Sequence, residues 1–210
     1  MEKKCIIVSA GPVEERQPIP ADFTDSYVIA CDAGWKNCQK LGLTPDLVLG
    51  DFDSSEKPAL LGVVVLPREK DDTDTHYAAR RAVEMGFSQV LMLGALGGAR
   101  MEHTLANLGT GLWLEQQGVQ VALLNPRTRV SFLLPGQPRR YPKEQYQYFS
   151  IFPMEGQTQD ICMTGAKYPL EHASLSVVYP LGVSNEWQSE EIQLKIGQGA
   201  LIVLETCADQ

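Results

Sequence analysis

The sequence predicts an α/β protein in two parts: an N-terminal open, mostly parallel, Rossmann-like α/β domain over residues 1–126, followed by a small antiparallel β-sandwich domain over residues 127–210. Three observations predict this. Up to Asn125-Pro126, short runs rich in Val, Ile and Leu alternate with helical patterns. Beyond that point the helical period fades, and short apolar runs are separated by Pro and Gly turns. The length of 210 residues also exceeds the usual domain size of about 100–150.

In the first part, strands are expected over residues 5–9, 27–31, 47–49, 63–66, 90–93 and 119–124. Their near-continuous apolar character suits strands buried on both faces of a parallel sheet. Helices are expected over residues 35–41, 73–85 and 103–117. On the last of these, Met101, Leu105, Leu108 and Leu112 read as one apolar face, with His103 and Asn107 roughly opposite. In the second part, strands are expected over residues 129–134, 147–152, 161–164, 175–179, 192–196 and 201–205. Turns such as Pro135-Gly136, Glu155-Gly156 and Gly197-Gln198-Gly199 separate several of them.

Charge and composition remove several classes of function. Twenty-six acidic residues against eighteen Lys and Arg give a net charge of −8, the wrong sign for a surface that tracks nucleic-acid phosphates. No apolar run approaches the roughly 18 residues of a membrane span. The run Cys5-Ile6-Ile7-Val8 is shorter than a signal-peptide core of about 7–15 residues and reads as a first strand. Five cysteines, an odd number without a Cys-x-x-Cys pair, fit free thiols in a cytoplasmic protein.

The chemistry concentrates in four stretches. Leu47-Val48-Leu49-Gly50-Asp51-Phe52-Asp53 runs an apolar strand into an Asp-x-Asp pair. Residues two apart in extended chain share a face, so Asp51 and Asp53 can converge at a strand end and hold a hard cation such as Mg²⁺. Lys70-Asp71-Asp72-Thr73-Asp74 opens a helix. One acid serves as a cap; Asp74 can face the same crevice, and Lys70 can counter phosphate charge. Gly94 to Asn107 joins a strand to a helix, with Gly97 and Gly98 open to close phosphate approach and Arg100 suited to bidentate phosphate contact. By spacing alone His103 and Asn107 fit a solvated helix side. Finally, Cys31-Asp32-Ala33-Gly34 ends a strand at the same sheet edge as the other acids, where Asp32 either caps a helix or joins the site.

Together these stretches resemble the thiamine pyrophosphokinase family. The resemblance runs in order through Asp32, Gly50-Asp51-Phe52-Asp53-Ser54, Lys70-Asp71-Asp72-Thr73-Asp74 and Gly97-Gly98-Ala99-Arg100-Met101-Glu102-His103 with Leu105-Ala106-Asn107. It continues in the second part through Gly165-Ala166-Lys167-Tyr168-Pro169-Leu170 and Gly182-Val183-Ser184-Asn185-Glu186. The family usually carries Asp where this chain has Glu102, and Asp-Gly-Gly where it has Asp32-Ala33-Gly34.

The resemblance implies transfer of diphosphate from ATP to the hydroxyl of thiamine, releasing AMP, in a homodimer. It implies that Asp51, Asp53 and Asp74 hold Mg²⁺ at the ATP phosphates. Asp32, Lys70, Gly97, Gly98, Arg100, His103 and Asn107 are the candidate ATP-site residues. Ser184 and Asn185 are expected in a thiamine pocket completed across the dimer interface. Trp187, next along, either stacks on thiamine or packs the β-domain. Asp71 is one candidate for the base that takes the hydroxyl proton. Two alternatives stay open: a Mg²⁺-dependent pyrophosphokinase acting on a pterin alcohol, and a non-catalytic nucleotide- or thiamine-binding protein.

Overall fold

The computed structural model describes residues 2–52, 62–67 and 71–208. The chain divides into two compact units, Met1–Pro126 and Arg127–Gln210. The candidates Asp53 and Lys70 lie outside the described residues.

The first unit runs β1 (Lys4–Val8), a short 3-10 turn (Ala21–Phe23), β2 (Tyr27–Cys31), α1 (Gly34–Leu41), β3 (Leu47–Gly50), β4 (Val63–Val65), α2 (Asp74–Glu84), β5 (Gln89–Leu93), α3 (Met101–Gln116) and β6 (Gln120–Asn125). The strands lie in the order β6-β5-β1-β2-β3-β4. Every pairing among them is parallel, with Ile6 between Val28 on β2 and Leu91 on β5. The apolar runs are there because both faces are covered: Ile7, Val8, Ile29, Leu49 and Leu93 are fully buried.

Chain order matters more than strand content. The strands progress outward from β1 to β4, and the chain then returns to the other side of β1 to lay down β5 and β6. The reversal falls between β1 and β5. In open α/β sheets that junction leaves a crevice beyond the carboxyl ends of the strands.

Helix packing follows residue size. α2 turns Thr75, Ala78, Ala79 and Ala82 inward, small side chains that allow close approach to the sheet. Its start is fixed by Thr73, whose hydroxyl accepts a hydrogen bond from the His76 N–H. α1 stops at Gly42, which takes the left-handed conformation at φ 72°.

α3 departs from the expected packing. Met101 and Leu105 are exposed, and the buried residues are Asn107, Thr110, Gly111 and Leu114. The polar members can be buried because each has a partner. Asn107 Nδ2 donates to the Ala95 carbonyl, and Thr110 donates to the Ala106 carbonyl. His76 adds a contact from α2, with Nδ1 3.1 Å from the Thr110 hydroxyl and its ring 4.9 Å from that of Trp113.

The second unit contains β7 (Thr128–Leu133), β8 (Arg139–Pro142), β9 (Tyr148–Pro153), β10 (Gln157–Thr164), β11 (Leu170–Ser176), β12 (Asn185–Glu186), β13 (Glu191–Lys195) and β14 (Leu201–Thr206). They form two antiparallel sets, β12-β9-β14-β7 and β11-β10-β13-β8. Both sets contribute to one core, with Phe149, Ile151, Leu201 and Val203 from the first and Ile161, Met163, Ile192 and Leu194 from the second. The strand expected at 175–179 instead ends at Ser176, and Val177, Val178 and Tyr179 are exposed. β8 carries Arg139 and Arg140 at a sheet edge, which hides it from a search for apolar runs.

Candidate functional site

Four loops meet at the crevice of the first unit. Residues after β1 (Ser9 to Pro12), after β2 (Cys31 to Ala33), at the start of α2 (Asp72 to Thr75) and after β5 (Gly94, Ala95, Gly97 to Arg100) line a pocket of about 660 Å³. His103 and Asn107 on α3 complete its wall. That volume suits a ligand of nucleotide size.

The loops are tied together from behind. Buried Asn37 on α1 donates from Nδ2 to the carbonyls of Ser9 and Gly11, at 2.8 and 2.7 Å. The Gly11 N–H bonds to the Gly94 carbonyl at 2.9 Å, joining the β1 loop to the β5 loop. Ser9 and Thr75 share a hydroxyl contact of 2.8 Å, which joins the β1 loop to the start of α2. Asn107 holds Ala95 in the same way. Its side chain therefore shapes the pocket wall through the loop it anchors, which the solvated-side reading of its spacing did not anticipate.

Asp32 and Asp74 both line the pocket. Asp32 holds a left-handed backbone at φ 46°, a strained conformation of the kind that collects at functional sites. Gly50, at the end of β3, lies directly against it: a Cβ there would come within 2.9 Å of the Asp32 Cα. Asp51 is the next residue, so β3 delivers it to the Asp32 side of the crevice. Neither Asp51 nor Asp71 is among the lining residues. Asp72 does line the pocket, and its carboxylate pairs with Arg80 at 2.7 Å. Asp32, Asp51 and Asp74 each offer carboxylate oxygen, the ligand chemistry that Mg²⁺ selects.

Other lining residues suit anions. Gly97 and Gly98 take φ of 77° and 94°, a turn open to glycine and closed to most side chains. Its loop leads into the first turn of α3, where exposed N–H groups and the helix dipole favour phosphate. Arg100 stands at that turn and donates from Nε to Glu102 at 2.7 Å. This hydrogen bond holds the Glu102 carboxyl below its ordinary range. Glu102 thus parks the guanidinium beside the pocket, in competition with any incoming phosphate. Cys31 also lines the pocket, but burial pushes its thiol well up, with the Asp74 charge adding to the effect. It stays protonated at neutral pH and offers no nucleophile.

In the second unit the two motifs that are distant in sequence come together. Asn185 is buried, and its Oδ1 accepts from the N–H groups of Tyr168 and Glu186 at 3.0 and 2.9 Å. Its Nδ2 donates to the Tyr168 carbonyl at 2.8 Å. Lys167 pairs with Glu186 at 2.7 Å, and Ala166 bridges Trp187. Ser184 is exposed in a left-handed conformation at φ 57°, with its N–H on the Ser150 hydroxyl. Of its two readings, Trp187 takes the packing one. It is 7% exposed, donates from Nε1 to the Tyr141 carbonyl, and meets Phe149 edge-on at 5.3 Å. The apolar core claims its ring, which supports Asn185-Glu186 from beneath.

The residues that sequence reasoning missed are Ser9 to Pro12 and the brace Asn37. Gly11-Pro12 directly after the first apolar run was the available signal, since a turn there marks the carboxyl end of β1.

Comparison with known proteins agrees with this geometry. Residues 23–123 match a family model described as the thiamin pyrophosphokinase catalytic domain, and residues 140–201 match the thiamin pyrophosphokinase vitamin B1 binding domain. Together the two matches cover more than three quarters of the chain. A thiamine pyrophosphokinase of Bacillus subtilis is 26% identical over 96% of this chain and 98% of its own length. The crystal structure of the Bacillus subtilis protein superposes with a TM-score of 0.87 at 25% identity, covering 99% of this chain and 100% of that one. That of Geobacillus thermodenitrificans thiamin pyrophosphokinase gives 0.82 at 26%, covering 99% of each chain.

Proposed function

Because the chain belongs to the thiamine pyrophosphokinase family, we propose that its first unit binds ATP in the switch-point pocket and that the chain transfers diphosphate from ATP to the primary hydroxyl of thiamine. The products are thiamine diphosphate and AMP. The observation that carries the reading is the pocket itself, which brings the carboxylates of Asp32 and Asp74 and the Gly97-Gly98 turn with Arg100 into one lining.

The hydroxyl oxygen of thiamine attacks the β-phosphorus, the bond from that phosphorus to the oxygen of the α-phosphate breaks, and AMP leaves. Charge in such a transfer spreads over phosphoryl oxygens, so placement of cations and donors governs the rate. Asp32, Asp51 and Asp74 are the described residues that would hold Mg²⁺. Bound there, Mg²⁺ supplies neutralisation of phosphate charge as the diphosphate moves. The Gly97 N–H is held by the Thr104 hydroxyl at 3.0 Å, which leaves the Gly98 backbone N–H as the one offered to the phosphates, and Arg100 exchanges Glu102 for a phosphate oxygen. His103 and Asn107 shape the same wall. The hydroxyl proton leaves to a carboxylate near the acceptor, for which Asp71 is the candidate.

Thiamine falls to the second unit. Ser184 is the exposed candidate contact, and Asn185 fixes its loop against Tyr168. Val178, Tyr179, Leu181 and Tyr168 are each more than half exposed near this motif in sequence or by hydrogen bonding. Exposed apolar surface of this kind marks an interaction face, which supports a homodimer that completes the thiamine pocket. Residues 1–126 then act as the ATP and Mg²⁺ part and residues 127–210 as the β-sandwich that carries thiamine binding and dimerisation. No described helix is long and apolar enough to cross a membrane, and all five cysteines are free thiols, which supports a cytoplasmic enzyme.

One assay separates this reading from its rivals. Incubation with Mg²⁺ and ATP is expected to release AMP when thiamine is added and not when a pterin alcohol is added. AMP release driven by the pterin alcohol would replace the acceptor, and no release with either would reduce the protein to a binder.

A further inference from the structure

Far along the second unit lies a cluster that the proposed reaction does not use. Asp160 and Cys162 on β10 and His172 on β11 bring a carboxylate oxygen, a thiol sulfur and an imidazole nitrogen within 4.8 Å of one another. His172 Nδ1 is 2.5 Å from Asp160 Oδ1 and 3.9 Å from Cys162 Sγ. Both contacts fall on the same ring nitrogen. A nucleophile–base–acid relay needs the thiol and the carboxylate on opposite nitrogens, so the arrangement is not a catalytic triad. Three unlike donors converging on one point are instead the pattern of a metal shell.

The backbone is bent to produce that convergence. Asp160 and His172 both take left-handed conformations, at φ 54° and 47°. They flank register shifts in the β10–β11 ladder, where pairing slips between Thr158 and Ile161 and again between Ile161 and Met163. Such bulges re-aim side chains. Ile161 and Met163 stay buried in the core while Asp160 and Cys162 turn outward. A third element secures the carboxylate. Gly197 lies so close that a Cβ there would meet Asp160 Oδ2 at 2.7 Å and Asp160 Cβ at 2.8 Å. Any side chain at 197 would displace the acid. Lys195 on β13 is the cross-strand partner of Cys162 and lies on the same face of the sheet.

We propose that Asp160, Cys162 and His172 form a surface site for a divalent transition-metal ion, Zn²⁺ foremost, with water completing a tetrahedral shell. Mixed nitrogen, sulfur and oxygen ligation selects Zn²⁺ over Mg²⁺, which prefers oxygen alone. The site is therefore chemically separate from the carboxylates of the ATP pocket, and it stands whether or not the acceptor of the proposed reaction is thiamine. Binding converts the Cys162 thiol to thiolate and removes the proton between His172 and Asp160, releasing protons to solvent.

The test is titration of the intact, metal-stripped protein with Zn²⁺ and with Co²⁺ as a spectroscopic probe. A single equivalent is expected to bind, and the Co²⁺ form should show a thiolate-to-metal charge-transfer band. Cys162→Ser should abolish that band, and His172→Ala should weaken binding by at least about 100-fold, as befits a direct ligand. Cys207→Ser should change neither, and excess Mg²⁺ should not compete. Thiamine-dependent AMP release should be the same in Cys162→Ser as in the parent. A missing band, a band that survives Cys162→Ser, or one lost with Cys207→Ser would overturn the proposal. If Cys162→Ser does not fold, Asp160→Asn carries the same test, with unchanged Zn²⁺ affinity as the contradicting result.

Discussion

The pocket of the first unit and the Ser184–Trp187 stretch of the second are both marked by motif residues, yet they use those residues differently. Around the pocket, Asp32, Asp74 and Arg100 line an open wall, while the bracing is shared by Asn37 behind it and Asn107, a motif residue that lines the wall as well. In the second unit the motif residues are themselves the brace. Asn185 turns both ends of its amide onto neighbouring backbone, and Trp187 is core. A motif residue can act by touching a ligand or by holding the loop that does, and sequence does not distinguish the two.

The sharpest way to break this comparison is to remove charge from the pocket. Asp74→Asn and Asp51→Asn are each expected to lower kcat/KM by roughly 100- to 1,000-fold, the scale of losing one group that meets developing charge. The melting temperature should stay within a few degrees, because the amide keeps the shape. Steady-state kinetics beside thermal melts check this, and near-normal turnover with ordinary Mg²⁺ dependence would remove the metal assignment.

The second unit should respond in the reverse sense. Trp187→Ala is expected to destabilise by about 3–5 kcal/mol, the usual loss for a buried large aromatic. That corresponds to a fall in Tm of very roughly 6–20 °C in a chain of this size. The conservative Trp187→Phe should recover part of the stability and leave the thiamine KM unchanged. A raised thiamine KM with unaltered Tm would restore the stacking role.

Asn185→Ala should be intermediate. It leaves two N–H groups and one carbonyl without their partner, each worth about 1–3 kcal/mol where water cannot replace it. Stability and thiamine KM should therefore worsen together, as measured by melting and by thiamine titration in the AMP assay.

The smallest effect is a pH dependence. Glu205 on β14 is 2% exposed, and burial raises its carboxyl to about 7 even though Arg129 opposes the shift. A carboxyl whose folded pKa lies above its unfolded one contributes stability that is full below the unfolded value and lost as pH rises through the folded value. The loss should run from about pH 4.5 to about pH 7. Glu205→Gln does not ionise, so its Tm relative to the parent should rise between pH 5 and pH 8. A pH-independent difference would contradict the buried-acid account.

Much of the architecture was legible because buried parallel strands announce themselves. The apolar run 27–31 coincides with β2, Tyr27–Cys31, and the acid that follows it lines the pocket. What failed did so where polarity and burial part company. The α3 face departs from the one its apolar spacing suggests because Asn107 and Thr110 are buried with partners, while Met101 and Leu105 remain exposed. The first half of β10, Gln157 to Asp160, is polar on its outward side and escaped notice. Trp187 was legible as an aromatic beside the motif, but its inward direction follows from β12 pairing with β9, a long-range contact. The left-handed turns at Asp32 and Ser184 were likewise invisible, since neither is glycine.

The most direct test of the division between the units is to titrate Mg²⁺ with a non-hydrolysable ATP analogue, and separately thiamine, into the parent, Asp74→Asn and Asn185→Ala proteins by calorimetry. Asp74→Asn is expected to weaken nucleotide binding by at least about tenfold and to leave thiamine affinity within about twofold, and Asn185→Ala to do the opposite. Nucleotide binding that is indifferent to Asp74, or lost equally in both variants, would contradict that division.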